Sequence, residues 1–115
     1  MRKTFLRLIL IPILILLIII NLSFLIKKEF LGYRIFVVQT GSMSPTLEVG
    51  DYIIIKKQDS YSINDIITYK LGNSFITHRI VSLDPITTKG DNNNTNDEPI
   101  KQEDIVGKYI IKLNF

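Results

Sequence analysis

Residues 8–26 read L-I-L-I-P-I-L-I-L-L-I-I-I-N-L-S-F-L-I, and a chain of 115 residues offers little interior in which to hide such a run. As a helix rising about 1.5 Å per residue it would be roughly 28 Å long, close to the hydrocarbon thickness of a bilayer. It is apolar on every side, interrupted only by Pro12, Asn21 and Ser23, which fits a spanning segment and not an amphipathic surface helix. Pro12 would fall in the first turns of a helix beginning at Leu8, where a missing N–H does little harm. A cleaved signal peptide is the competing reading, but it requires a shorter apolar region followed by small residues. Here the run passes into Lys27-Lys28-Glu29, and the chain contains no alanine. The expectation is an uncleaved anchor within residues 1–30, with the lipid bilayer as a partner. Arg2, Lys3 and Arg7 on one side balance Lys27, Lys28 and Arg34 on the other, so the positive-inside rule gives a near tie over orientation.

Residues 31–115 leave room for one small domain. The basic excess of the chain lies in the anchor and its flanks, since from Glu29 onward nine Lys/Arg face eleven Asp/Glu. A basic face for nucleic acid is therefore not supported. With no cysteine there is no disulfide and no thiolate-bound metal. Short runs rich in Ile, Val, Tyr and Thr at 33–39, 52–56, 65–70, 74–83, 86–89 and 105–113 read as strands. Gly50-Asp51, Leu71-Gly72-Asn73, Asp84-Pro85 and residues 90–99 punctuate them, and residues 70–74 read as a hairpin connection. No window between the strands sustains a 3.6-residue period. The expected fold class is therefore mostly β: a small antiparallel β-domain preceded by one transmembrane helix.

Three stretches carry residues suited to chemistry. In Q-T-G-S-M-S-P-T-L-E-V-G-D, residues 39–51, Ser42 follows a glycine and precedes Met43-Ser44-Pro45. Glycine tolerates unusual backbone angles, and proline pushes Ser44 towards an extended conformation. Such a turn can present one hydroxyl while aiming the Ser42 N–H at a developing oxyanion, with the Thr40 hydroxyl as a second donor. An ordinary Ser/Thr/Pro loop has the same composition. A serine needs a base, and the chain has one histidine, His78, in S-F-I-T-H-R-I-V-S. Strand alternation puts it beside Ile76 and Ile80, with Thr77 and Arg79 on the other face, as either a hydrogen-bonded core residue or a catalytic one. In K-G-D-N-N-N-T-N-D-E, residues 89–98, Asp91 and Asp97 are both available to orient an imidazole. A solvated turn or a weak calcium loop would read similarly, although the spacing does not fit an EF-hand.

Taken together, the anchor, G-S-M-S-P-T with G-D following, His78-Arg79 and T-K-G-D-N-N resemble the type I signal peptidases. The likeness is to the branch similar to the catalytic subunit of the endoplasmic reticulum complex, found also in archaea and Gram-positive bacteria. It covers nearly the whole chain. Where bacterial housekeeping enzymes carry a lysine base followed by arginine, this chain has His78-Arg79. The resemblance implies Ser42 as nucleophile, His78 as base, Thr40 with the Ser42 N–H as oxyanion hole, and Asp97 as triad acid with Asp91 important beside it. It also implies signal-peptide-bearing preproteins as substrates, no cofactor or metal, a cytoplasmic N-terminus and a β-domain outside the cell membrane, or in the endoplasmic reticulum lumen. Accessory subunits stay open. Many relatives carry a second apolar segment after the β-domain, whereas the final K-Y-I-I-K-L-N-F is too short and too charged to span a membrane.

Two other classes stand beside this reading. One is a non-catalytic, membrane-anchored peptide-binding subunit that keeps the β-fold, for which loss of Ser42 or His78 would have been the sign. The other is an anchored relative of self-cleaving repressors with a serine–lysine dyad, for which Lys70 is the nearby lysine, without a following arginine.

Overall fold

The computed structural model describes residues 2–27 and 31–114. It divides into two compact units, one holding the apolar helix and one, from Gly32 onward, holding the sheet. Helix α1 (Arg2–Lys27) is 26 residues long. Within it Arg2–Phe24 is long and apolar enough to cross a membrane, and none of its most apolar stretch is buried. The helix begins six residues before the apolar run, because Arg, Lys and Leu in residues 2–7 are good helix formers. Pro12 therefore lies in the helix interior and not in its opening turns, where it leaves the Leu8 carbonyl without its usual donor. Asn21 turns its side-chain amide back along the helix, donating to the Leu17 carbonyl at 2.8 Å. The Lys28-Glu29-Phe30 junction, on which the end of the anchor was placed, lies outside the described residues.

The second unit is one antiparallel sheet of β1 (Tyr33–Val37), β2 (Tyr52–Lys56), β3 (Ile66–Leu71), β4 (Ser74–Leu83), β5 (Ile86–Lys89) and β6 (Ile105–Leu113), in the order β1-β2-β6-β3-β4-β5. Four strands fall on the expected residues; β3 is shifted by one and β1 ends two residues early. The chain leaves β1 after Val38, whose N–H still bonds the Asp51 carbonyl at 2.9 Å before the loop departs. The β3–β4 hairpin closes as expected on Gly72-Asn73, flanked by the Leu71–Ser74 pair. Gly72 sits at φ +61°, the left-handed region a two-residue hairpin loop needs at its first position.

Opposed residues of antiparallel strands share a face, so the register sorts the core into two clusters. One face packs Ile67, Tyr69, Ile80 and Ile105. The other packs Ile53, Ile55 and Ile66 beneath Met43 and Leu47, which descend from the β1–β2 loop. His78 lies opposite Ile67 and belongs to the first face, at 7% exposure. Thr68, His78 and Thr88 are the buried polar residues among those described. Among the described residues no buried side-chain polar atom lacks a partner, as burial demands.

Candidate active site

Two apolar plugs hold the β1–β2 loop. Met43 and Leu47 are each 1% exposed, and the chain between β1 and these anchors makes a single 3₁₀ turn, Gly41–Met43. The Ser44 N–H closes it on the Gly41 carbonyl at 3.1 Å, and the Leu47 N–H bonds the Met43 carbonyl at 2.9 Å. Ser44 is extended, φ −63° and ψ 142°, as the following proline requires. With Met43 pointing into the core, Ser42 stands half-buried at the rim. Residues 90–92 lock the turn from behind. The Asn92 N–H donates to the Ser42 carbonyl at 2.8 Å, and the Asn92 side chain donates to the Gly41 carbonyl at 3.2 Å. A Cβ at Gly90 would meet the Ser42 carbonyl oxygen at 2.6 Å, so this approach requires glycine.

Strand β4 brings His78 to the same place. Its Nε2 lies 3.0 Å from Ser42 Oγ, and its Nδ1 lies 2.5 Å from Asp97 Oδ2. A carboxylate only accepts, so in the neutral ring Nδ1 carries the proton and Nε2 is left to accept from the serine hydroxyl. Thr40 Oγ1 is 3.0 Å from Ser42 Oγ, close enough to turn towards charge developing beside it. Asp97 lies on the loop after β5. Its N–H donates to the Thr88 carbonyl at 2.8 Å, and Thr88 Oγ1 lies 2.8 Å from its Oδ2. Tyr69, behind Thr88 at 3.1 Å between hydroxyl oxygens, has its phenol held above the ordinary value by burial and by the charge of Asp97. It is thus a neutral hydroxyl at working pH.

Asp91 is not brought to the imidazole. Both its oxygens are taken by a fork from Arg79, Nε to Oδ1 at 2.9 Å and Nη2 to Oδ2 at 2.8 Å. The Thr46 hydroxyl also donates to Oδ2 at 2.7 Å. The Arg79 fork, helped by Thr46, holds the Asp91 carboxyl below the usual carboxylate range although partial burial opposes it, and the Arg79 guanidinium is pushed higher by the same pair. The Asp91 N–H reaches the Met43 sulfur at 3.4 Å, so this aspartate ties the loop to both Thr46 and Met43 of the serine turn. Among the described residues no three His, Cys, Asp or Glu side chains are grouped to hold a metal ion. Lys70 is exposed near the end of β3, and the place beside Ser42 Oγ is filled by His78.

A cleft of about 670 Å³ opens beside the serine, lined by Ile35, Val37, Gln39, Ser42, Phe75 and His78 among others. It runs along β1, an edge strand whose one neighbour among the described strands is β2. Among the residues that the sequence left without a role are Arg79, Thr46, Thr88, Tyr69, Gly90 and Asn92. Both partners of the fork, Arg79 and Asp91, stood in motifs already singled out. Tyr69 had a detectable signal too, since strand alternation places it with Ile67 on the face that holds His78.

A hydroxyl, an imidazole and a carboxylate in line beside an open cleft form the arrangement by which hydrolases activate a nucleophile. The family model described as signal peptidase, peptidase S26 matches residues 2–109, which takes in the apolar helix and nearly all of the sheet. The chain belongs to that family and is, at family level, a peptidase whose substrates bear signal peptides. No curated protein matches the chain.

Proposed function

We propose that this protein is a membrane-anchored serine endopeptidase of the histidine branch of its family, removing signal peptides from exported preproteins. The supporting observation is the unbroken line from Ser42 Oγ through His78 to Asp97 Oδ2, with contacts of 3.0 and 2.5 Å. Ser42 Oγ attacks the scissile carbonyl while His78 Nε2 takes its proton, and Asp97 stabilises the imidazolium that forms. The oxyanion rests on the Ser42 N–H and the Thr40 hydroxyl. The imidazolium then protonates the leaving amine, and water activated by the same ring releases the acyl group from Ser42.

The substrate lies as an added strand against the free edge of β1, with alternate side chains directed into the cleft. Helix α1 anchors residues 1–30 with the N-terminus in the cytoplasm and places residues 31–115 on the far side, at the cell membrane or in the endoplasmic reticulum lumen. Holding enzyme and preprotein on one surface raises their effective concentration. The deciding experiment uses the full chain in detergent with a preprotein. Ser42→Ala should leave no measurable cleavage and an unchanged fold by circular dichroism. Wild-type processing by that variant would remove Ser42 from the mechanism, whereas inactivity of the wild type with retained peptide binding would favour the non-catalytic binding subunit.

A further inference from the structure

Asp97 is a weakly supported residue by position. It lies in irregular backbone after β5, and its side chain is 26% exposed, so water competes for the carboxylate. The terminal torsion of an aspartate is broad and two-fold, so an unrestrained carboxylate turns readily away from its partner. What restrains it is Thr88, which is fully buried in β5. The grip has two points: the Thr88 carbonyl accepts the Asp97 N–H, and the Thr88 hydroxyl meets Asp97 Oδ2, both at 2.8 Å. That oxygen is the one His78 Nδ1 uses.

The Thr88 hydroxyl has one proton and two oxygens within reach, the carboxylate at 2.8 Å and the Tyr69 phenol at 3.1 Å. The shorter bond to a charged acceptor competes best for that proton, and the phenol oxygen is the second acceptor. The Tyr69 hydroxyl donates towards the same Oδ2 at 3.5 Å, at the limit of a hydrogen bond, so its hold on the carboxylate is the weaker of the two. Both hydroxyls come from buried strand positions, Tyr69 at 2% exposure and Thr88 at 0%. A rigid two-strand base thus aims a loop carboxylate.

We propose that Thr88, backed by Tyr69, is the positioning residue that fixes the Asp97 carboxylate on His78 and thereby sets which ring nitrogen carries the proton. This rests on the Ser42–His78–Asp97 reading above. Without the hydroxyl, Asp97 turns, Nδ1 loses its acceptor, and the ring spends part of its time with the proton on Nε2, where it cannot take one from serine. The role predicts a loss of turnover without a loss of substrate binding, because nothing in the cleft along β1 changes.

The chain has a single histidine, so the imidazole ¹⁵N resonances of the full-length protein in detergent report this ring alone. In its neutral form the wild-type ring should show a protonated Nδ1 and a bare Nε2. A wild-type ring without that pattern would refute the triad itself, separately from the role of Thr88. Thr88→Val keeps the shape and the backbone grip. It should shift the ring signals towards the other tautomer and lower kcat about 10- to 100-fold on a signal-peptide-bearing preprotein, at constant KM. Thr88→Ser should recover both, and Tyr69→Phe should fall between valine variant and wild type. A wild-type tautomer and kcat in Thr88→Val would overturn the proposal, as would equal losses in the serine and valine variants, which would mark a packing effect. If Thr88→Val fails to fold by circular dichroism, Tyr69→Phe decides: a shifted ring signal with reduced kcat upholds the positioning role, and an unchanged variant rejects it.

Discussion

Two aspartates six residues apart in one loop meet opposite surroundings. Asp97 faces an imidazole and two hydroxyls, with no permanently charged cation bonded to it among the described residues. Asp91 is filled by a guanidinium fork and the Thr46 hydroxyl, and its backbone holds the Met43 sulfur. A carboxylate saturated by a permanent cation braces structure; one bonded to a titratable ring can stabilise a charge that comes and goes. The loop therefore uses one residue type twice, at one end to hold the serine turn and at the other to bond the imidazole of His78.

The strongest challenge to that division is to remove each charge alone. Asp97→Asn should lower kcat by roughly four orders of magnitude, the size seen when a triad acid becomes an amide and favours the wrong tautomer. Asp91→Asn should act on kcat by about tenfold at most, through a loosened serine turn, while destabilising the fold by about 1–3 kcal/mol. Steady-state kinetics and thermal melts of both variants settle the comparison, and a larger catalytic loss in Asp91→Asn would reverse the two roles.

His78→Lys sharpens it further. A lysine acts as a base at neutral pH only if desolvated enough to lose its proton. The Asp97 carboxylate would be left facing the new amine and would favour its charged form. Asp91, bound to Arg79, neither helps nor hinders. The variant should stay below about one hundredth of wild-type turnover, within the range that general-base catalysis supplies. Wild-type rates would mean that Asp97 does not sense the charge at position 78.

Much of this arrangement was legible in the chain. Strand alternation put His78 with Ile76 and Ile80, and the pairing of β3 with β4 keeps it there. Gly72-Asn73 announced its hairpin because few residues tolerate that loop geometry. Pro12 misled, since its harmlessness was judged from where the apolar run begins, whereas the helix begins at Arg2. The division between Asp91 and Asp97 was hidden for a different reason. It depends on β4 presenting His78 and Arg79 to opposite faces, so that adjacent residues in sequence select different ends of one loop. Thr88 and Tyr69 were hidden because their roles arise only when β3, β4 and β5 lie side by side.

The smallest expected effect concerns acid stability and belongs to Asp91 alone. Its carboxyl is held below the ordinary range, by the Arg79 fork first and then by Thr46, against the opposing pull of burial. In the unfolded chain the same group titrates near its ordinary value, about 3.9. Above that pH both states carry the anion and the stabilisation is complete. As pH falls through the unfolded value towards the lower folded one, the unfolded chain takes up the proton first, and the stabilisation drains away. Asp91→Asn cannot titrate at this position. The difference in melting temperature between wild type and variant should therefore be full at about pH 6, begin to narrow near about pH 4 and shrink further as acid is added. Melts of the full chain in detergent across that range measure it directly. A difference that stays constant down to about pH 3 would mean that the fork stabilises the fold by shape and packing, and the contrast between the two ends of the loop would no longer rest on charge.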